Sequence, residues 1–159
     1  MGLALAQWQS ALRRVLPGVW LGLLLCIAGV AMPAAFAVLA PEDAGRFARR
    51  IFALEAPASL VLGMLLLTLE RRSGLERLAA GEPSQFTLEM QLALGTLFCT
   101  VAGYYGLQPF FAEARAGTGL LPFGLLHLAS TVLFGVKTIL VAVLAWKAAA
   151  GRGPIRPAS

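Results

Sequence analysis

The chain has 159 residues, of which 58% are hydrophobic and only 13% are charged, and its formal net charge at pH 7 is +5. Soluble domains are close to half apolar and a quarter charged, so this composition excludes an ordinary soluble domain and indicates a membrane protein. The basic residues lie in short groups beside apolar runs, as topology signals and lipid contacts do, and we expect no nucleic-acid partner.

The first apolar run carries no charged residue from Val15 to Pro41, which is long enough to cross a bilayer. A mildly amphipathic start ends at Arg13 and Arg14, and we interpret it as an interfacial helix that leads into the membrane. A cleaved signal peptide is the alternative interpretation, but the apolar run is about twice as long as a signal core.

A second helix is predicted to begin at Pro41, because proline and acidic residues favour the first helical turn. The segment is amphipathic as far as Arg50 and then becomes an apolar span that contains Glu55. After this span, Ser73 and Glu76 have the spacing of a capping box, which predicts a separate short surface helix.

The third and fourth apolar segments are joined by a short loop, so we expect them to be antiparallel neighbours. The third has no charge between Glu89 and Glu113, and the fourth contains His127 and Lys137. The sequence therefore predicts an all-α, integral membrane four-helix bundle with antiparallel up-down topology, within a single domain of residues 1–147. The predicted spans are about 15–39, 47–70, 88–111 and 119–147, and a disordered basic tail is predicted over 148–159.

The distribution of Lys and Arg predicts the orientation in the membrane. Eight of these residues flank the side of the two termini and four flank the opposite side, so both termini are expected in the cytoplasm of a multi-pass inner-membrane protein. Three tryptophans, Trp8, Trp20 and Trp146, are expected toward that same cytoplasmic side.

Ionisable side chains inside the spans predict the candidate site. Counted from the outer ends of their spans, Glu55 and His127 lie at similar depths, so we expect them to pair across spans two and four. Lys137 is about 15 Å deeper than His127 along its helix, so we expect it to reach Glu89 or Gln91 or to extend to the head groups. The predicted polar flank of the pair comprises Thr131, Thr138, Lys137 and Gln108.

On a helical wheel, the small and polar residues of span four share one face with His127, which we expect to face the other helices. Glycine-rich faces on span one (Gly18, Gly22) and span three (Gly95, Cys99, Gly103) are candidate surfaces for a second copy or a membrane-protein partner, besides the lipid bilayer.

Three arginines near the outer ends of the spans, Arg49, Arg50 and Arg115, leave two interpretations open. They form a solvated helix face, which is the more common arrangement, or they attract anions at an outer mouth.

Cys26 and Cys99 lie within predicted spans, where the ordinary role of cysteine is that of a small apolar side chain. Together with His127 they are weak candidates for a soft-metal site, since no HxxxH or CxxC spacing accompanies them. We expect no cofactor.

Five short stretches carry a resemblance to a known family. They are WLG (20–22), MPAAF (32–36), AGRFARRIFALEA (44–56), AGYYGLQPFF (102–111) and FGLLHLASTVLF (123–134). In order and spacing the chain resembles, over about residues 15–147, the bacterial four-span membrane family similar to human transmembrane protein 205 (domain of unknown function 4149). The resemblance implies a four-helix membrane protein with no assigned catalytic activity. It places the family's glutamate at Glu55 and its histidine at His127, and it gives no family position to Lys137.

Our functional expectation is a small binding or transport-type or stress-resistance membrane module, with a cavity beside the Glu55–His127 pair. Two alternatives stay open: a structural or accessory subunit of a larger membrane complex, and a metal- or haem-binding protein that uses His127. We do not expect an enzyme, because no nucleophile or phosphate-binding motif accompanies the pair.

Overall fold

The computed structural model of this protein describes residues 2–79, 81 and 86–150, with side chains from residue 7 onward. The described residues form helices and short connections and contain no β-strand. In chain order the helices are α1 (Gly2–Cys26), a first π-helical segment (Ile27–Ala31), α2 (Met32–Val38), α3 (Pro41–Ala79), α4 (Leu88–Thr100), a second π-helical segment (Val101–Gly106), α5 (Gln108–Ala116) and α6 (Phe123–Ala150).

Three of the described helical stretches are long and apolar enough to cross a membrane, namely Gln7–Val38, Pro41–Ala79 and Phe123–Ala150. The predicted third span, 88–111, is divided between α4, the second π-helical segment and the start of α5. Since α4 has 13 residues and α5 has 9, neither reaches the length that a spanning helix needs by itself. The three apolar helices are those of a membrane protein.

Helix α3 begins at Pro41, as predicted, and carries acidic residues in its first turn. It then continues without a break through Ser73 to Ala79, so the prediction of a separate surface helix at 73–76 is wrong. A capping box requires a non-helical first residue, whereas Ser73 lies inside a regular helix, with Gly74 buried one residue later.

The C-terminal boundary of the last helix also differs from the prediction. Helix α6 continues to Ala150, so the first three residues of the predicted tail, 148–150, are helical. The rest of that predicted tail, 151–159, lies outside the described residues.

The long helices α1, α3 and α6 and the shorter α4 form one packed arrangement. Helix α6 packs against α1 and α4, and α3 packs against α4 and α1. The centre is a cluster of four buried side chains, Trp20, Leu24, Leu66 and Val141. The side chain of Trp20 is fully buried in this cluster, whereas those of Trp8 and Trp146 are 70% and 76% exposed.

Small residues allow close contact between helices at three positions. A Cβ atom added at Gly63 would lie 2.7 Å from Leu97 Cδ2, and one added at Gly95 or Gly103 would lie 3.0 Å from a side chain of α6. The face that contains Gly95, Cys99 and Gly103 is thus covered by α6 within the chain. By contrast, nothing in the described structure lies within 4 Å of such an atom at Gly18 or Gly22, so that face is open.

The outer surface of the packed helices is strongly apolar. Large hydrophobic side chains are exposed on every long helix, among them Val19, Val61, Phe98 and Ile139. A soluble monomer rarely exposes so much contiguous apolar area, whereas lipid-facing helices require it.

Candidate functional site: a cavity with a buried ion pair

A cavity of about 1040 Å³ lies among the helices and is the main candidate site of the described structure. We call its buried end the floor, which contains Glu55, Lys137, Cys99 and Thr100, and its exposed end the mouth, which contains Arg46, Arg49 and Arg115. The volume is slightly above the range of about 300–1,000 Å³ that is usual for small-molecule sites.

The floor of the cavity contains an ion pair between α3 and α6. Lys137 Nζ lies 2.6 Å from Glu55 Oε1, and both side chains are only 4% exposed. The ammonium group also lies 5.0 Å from the centre of the Phe134 ring, which adds a cation–π contact. Two charges so deeply buried are tolerated only as a pair, because desolvating either one alone is very unfavourable.

Glu55 is further held by a hydrogen-bond chain that leads into the core. Ser59, one helical turn later in α3, donates its hydroxyl to Glu55 Oε1, and Trp20 Nε1 donates to Ser59 Oγ at 2.9 Å. Glu55 Oε1 therefore accepts from both Lys137 and Ser59. The chain ends at Trp20, because an indole nitrogen is a donor only.

His127 does not form the predicted pair with Glu55. Its side chain is exposed in the cavity wall and its ring stacks on Phe123, with ring centres 6.2 Å apart and an interplanar angle of 7°. It lies ten residues, or about 15 Å, from Lys137 along α6. The predicted pair is corrected: Glu55 and His127 share one cavity, but the ionic partner of Glu55 is Lys137.

The correction has a simple geometric reason. The prediction counted the depth of Glu55 from the beginning of the apolar run that follows Arg50, whereas α3 is already helical from Pro41. Glu55 lies about fourteen residues from the start of α3, and Lys137 lies equally far from the start of α6. Phe52 and Phe134, one turn earlier in each helix, also meet, with ring centres 5.5 Å apart.

The buried face of α6 is also different from the predicted one. Its buried residues are Leu126, Lys137, Val141 and Leu144. His127 and Thr131 face the cavity between the helices and are exposed there rather than packed against a neighbouring helix. A wheel shows which residues share a face but not which face is buried, and the pairing with Glu55 turns Lys137 inward.

The flanking polar residues have separate roles. Thr131 lines the cavity and donates its hydroxyl to the carbonyl of His127 at 2.8 Å, and Thr138 donates to the carbonyl of Phe134 at 2.8 Å. Both hydroxyls are thus satisfied within α6. Gln108, at the start of α5, is exposed and lines the cavity.

The predicted contact between Lys137 and the start of span three is replaced by another pair. Lys147 Nζ lies 3.2 Å from Glu89 Oε1, with side chains 36% and 28% exposed. At the same end of the helices, Arg13 makes a two-point contact with Glu70, at 2.8 Å and 2.7 Å. In this second pair Glu70 is buried and Arg13 is 30% exposed. Both pairs connect helix ends and lie outside the cavity lining.

The candidate metal ligands are not assembled into one site. Cys99 and His127 both line the cavity, but Cys26 is exposed and is not part of its lining. Within residues 7–79, 81 and 86–150, no three side chains of His, Cys, Asp or Glu are grouped as metal ligands.

Both π-helical segments contribute to the cavity. Ala28 in the first segment and Gly103 and Tyr104 in the second lie in its wall. Short π-helical segments within α-helices are frequent at functional sites, because the extra residue turns neighbouring side chains and loosens the local hydrogen bonding. Their placement here is an independent reason to regard the cavity as a candidate site.

Sequence reasoning missed Ser59 and Trp20 as supports of Glu55. The four-residue spacing between Glu55 and Ser59, which puts both on one helical face, could have found the serine. No sequence signal marks Trp20, since a tryptophan in an apolar run is usually taken as an interfacial residue.

Comparison with known proteins shows the family of this chain. No curated protein and no solved structure matches it. Residues 15–119, about two thirds of the chain, match the family described as "Domain of unknown function (DUF4149)". This match includes Trp20, Glu55 and Ser59, whereas Lys137 lies beyond it. The chain belongs to the DUF4149 family.

Proposed function

We propose that this protein is a four-span binding or transport-type module of the bacterial inner membrane and that the cavity is its binding site. The observation that carries the proposal is the cavity itself, which joins an exposed cationic mouth to a buried ion pair within apolar helices. Ionisable groups at such depth in a membrane protein usually serve a pathway or a ligand.

The antiparallel up-down arrangement is part of this proposal and is supported by the order of contacts. Between α1 and α3, Arg13 meets Glu70 whereas Trp20 meets Ser59, so the two helices progress in opposite directions. Glu89 of α4 contacts Lys147 of α6, whereas Gly103, in the π-helical segment that continues α4, lies beside Leu133. These two segments therefore also run in opposite directions. The distribution of Lys and Arg favours cytoplasmic termini, which would place the mouth of the cavity at the outer face.

The hydrogen-bond chain favours ligand binding over proton conduction. A proton route needs groups that both accept and donate, but the chain from Lys137 through Glu55 and Ser59 ends at the indole of Trp20. The chain instead fixes Glu55 in one position, as the rigid floor of a binding site requires.

Cys99 provides a direct test of whether the cavity is accessible. We would replace Cys26 with serine, so that the buried Cys99 of the cavity floor is the only thiol. The protein would be placed in phosphatidylcholine nanodiscs and treated with hydroxyethyl methanethiosulfonate, which is small, neutral and water-soluble. We expect Cys99 to be modified in the folded protein.

Two further variants identify the route of the reagent. Thr131→Trp should slow the modification of Cys99, because Thr131 lines the cavity. Val132→Trp is the matched control and should have little effect, because Val132 is exposed and is not part of the lining. A Cys99 that reacts only after unfolding in SDS would reject the proposed binding site.

A second candidate function, an accessory subunit of a larger complex, is favoured by the open face at Gly18 and Gly22. Small residues on an open helical face allow another transmembrane helix to approach closely. A defined oligomer or stable partner complex that is lost in Gly22→Leu would support this alternative. A monomer of unchanged behaviour would count against it.

A further inference from the structure

We propose that the cavity binds an anionic amphiphile, with the acidic head group at the mouth and the apolar chain extending toward the floor. This inference rests on the proposed binding function and names the class of ligand. It is carried by three features of the cavity: unpaired guanidinium groups, an aromatic wall and a floor whose charges cancel.

The mouth has an excess of positive charge. Arg46 is paired with Asp43, but Arg49 and Arg115 form no ion pair with any residue that the structure describes. Among the residues that the structure describes, Glu42 is the one carboxylate of the lining near this end. Guanidinium groups match carboxylate and phosphate oxygens through paired hydrogen bonds, so the chemistry of the mouth selects an anion.

A comparison with Arg50 shows that the positive charge is concentrated at the cavity and is not spread evenly over the helix surface. Arg49 and Arg115 come from α3 and α5 and both line the cavity, whereas Arg50, next to Arg49 in the chain, is exposed and is not part of the lining. Of the three outer arginines that the sequence offers as an anion attractor, two face the same cavity. A solvated helix face does not require that convergence.

The wall between mouth and floor is mainly apolar and aromatic, although His127, Thr131 and Gln108 also line it. The described phenylalanine and tyrosine side chains that line it are Phe36, Phe52, Tyr104, Phe111, Phe123 and Phe134. From His127 to Lys137 the cavity follows α6 for about 15 Å. A small inorganic anion would leave this apolar length unfilled, whereas a hydrocarbon chain would bury its own surface there.

The floor does not compete with the mouth for the head group. Lys137 is neutralised by Glu55 at 2.6 Å, so the buried end presents no net charge. An acidic group that moved to the floor would have to displace Glu55 and leave a buried carboxylate without its cation. The anionic end of the ligand is therefore held at the mouth.

The test measures how three probes protect Cys99 from hydroxyethyl methanethiosulfonate in the Cys26→Ser protein in phosphatidylcholine nanodiscs. Dodecyl phosphate has both features of the proposed ligand, dodecyltrimethylammonium has the same chain with the opposite charge, and inorganic phosphate has the head group alone. We expect dodecyl phosphate to slow the modification and the other two probes to protect much less at the same concentration.

The arginine variants provide the second part of the test. Arg49→Ala combined with Arg115→Ala should raise the half-protecting concentration of dodecyl phosphate by about fivefold, the range for partly exposed charge contacts. Arg50→Ala, which removes a neighbouring charge outside the lining, should change it less than about twofold.

The possible results separate this inference from the function on which it rests. Equal protection by dodecyltrimethylammonium, or an unchanged double variant, would overturn the role of the anionic head but leave an accessible binding cavity. Equal protection by inorganic phosphate would overturn the role of the chain. A Cys99 that is unreactive without any probe would overturn both the inference and the proposed function.

Discussion

Lys137 and Glu55, from the last and the second long helix, form a buried ion pair with an Nζ–Oε1 distance of 2.6 Å. Neither side chain has more than 4% of its surface exposed, so each charge depends on the other. The pair connects α3 to α6 and forms part of the cavity floor.

Removing one partner of this pair should destabilise the protein strongly. Lys137→Met leaves the Glu55 carboxylate buried without its cation, and we expect the free energy of unfolding to fall by about 3–5 kcal/mol. Glu55→Gln combined with Lys137→Met should recover much of that loss, because it removes both charges. Unfolding in SDS, followed by circular dichroism, measures the three proteins.

The pair between Lys147 and Glu89 is the matched control for that experiment. It also joins two helices, but its side chains are 36% and 28% exposed. Lys147→Met should therefore reduce the free energy of unfolding by less than about 1 kcal/mol. Equal losses in the free energy of unfolding for Lys137→Met and Lys147→Met would contradict the expectation that burial makes the Glu55–Lys137 pair the more stabilising one.

Because Ser59 and Trp20 hold Glu55 through hydrogen bonds, we expect substitutions of either residue to lower the free energy of unfolding, by different amounts. Trp20→Phe keeps an aromatic ring in the core but loses the hydrogen bond to Ser59 Oγ, and we expect a loss of about 1 kcal/mol. Ser59→Ala also leaves the buried indole N–H without its acceptor, so its loss should be larger, about 1–3 kcal/mol.

The order of these two losses is the informative result. The free energy of unfolding in SDS should fall more for Ser59→Ala than for Trp20→Phe, although the serine variant removes fewer atoms. The reverse order would mean that ring packing dominates and that the hydrogen-bond chain contributes little.

Glycine substitutions distinguish packed from open helical faces. In Gly63→Ala the new methyl group would lie 2.7 Å from Leu97 Cδ2, so we expect a loss of about 1–3 kcal/mol through overpacking. Gly22→Ala has free space within the chain and should be neutral or stabilising by up to about 1 kcal/mol.

The thermal stability of the two variants in detergent makes this comparison, and size-exclusion chromatography with light scattering reports their oligomeric state. A Gly22→Ala protein that is destabilised and also dissociates would show that another chain covers this face. Equal tolerance of both substitutions would contradict the close contact between α3 and α4.

His127 should be nearly neutral for stability. Its ring is exposed in the cavity wall and is held mainly by stacking on Phe123 at 6.2 Å, a contact worth at most about 1 kcal/mol. His127→Ala should therefore unfold in SDS almost as the wild type does, whereas a partner of Glu55 would behave like Lys137. A loss near that of Lys137→Met would contradict the arrangement described above.

The sequence alone predicted the membrane class, the all-helical content and the start of α3 at Pro41, and it identified Glu55 as an ionisable residue inside an apolar run. These predictions depend on local properties of the sequence: the length of the apolar runs, the residues that favour helix starts and the rarity of charged residues inside apolar runs. The same reading was unable to identify the partner of Glu55.

Only the tertiary structure decided which side chains meet. Pairing Glu55 with Lys137 rather than His127 depends on where α3 begins and on which face of α6 is turned inward, and a shift of three turns along a helix changes every partner. The inward position of Trp20 and the convergence of Arg49 and Arg115 on one cavity likewise arise from the packing of separate helices. Composition and periodicity describe each helix by itself, whereas a site between helices is determined by their relative depth and rotation.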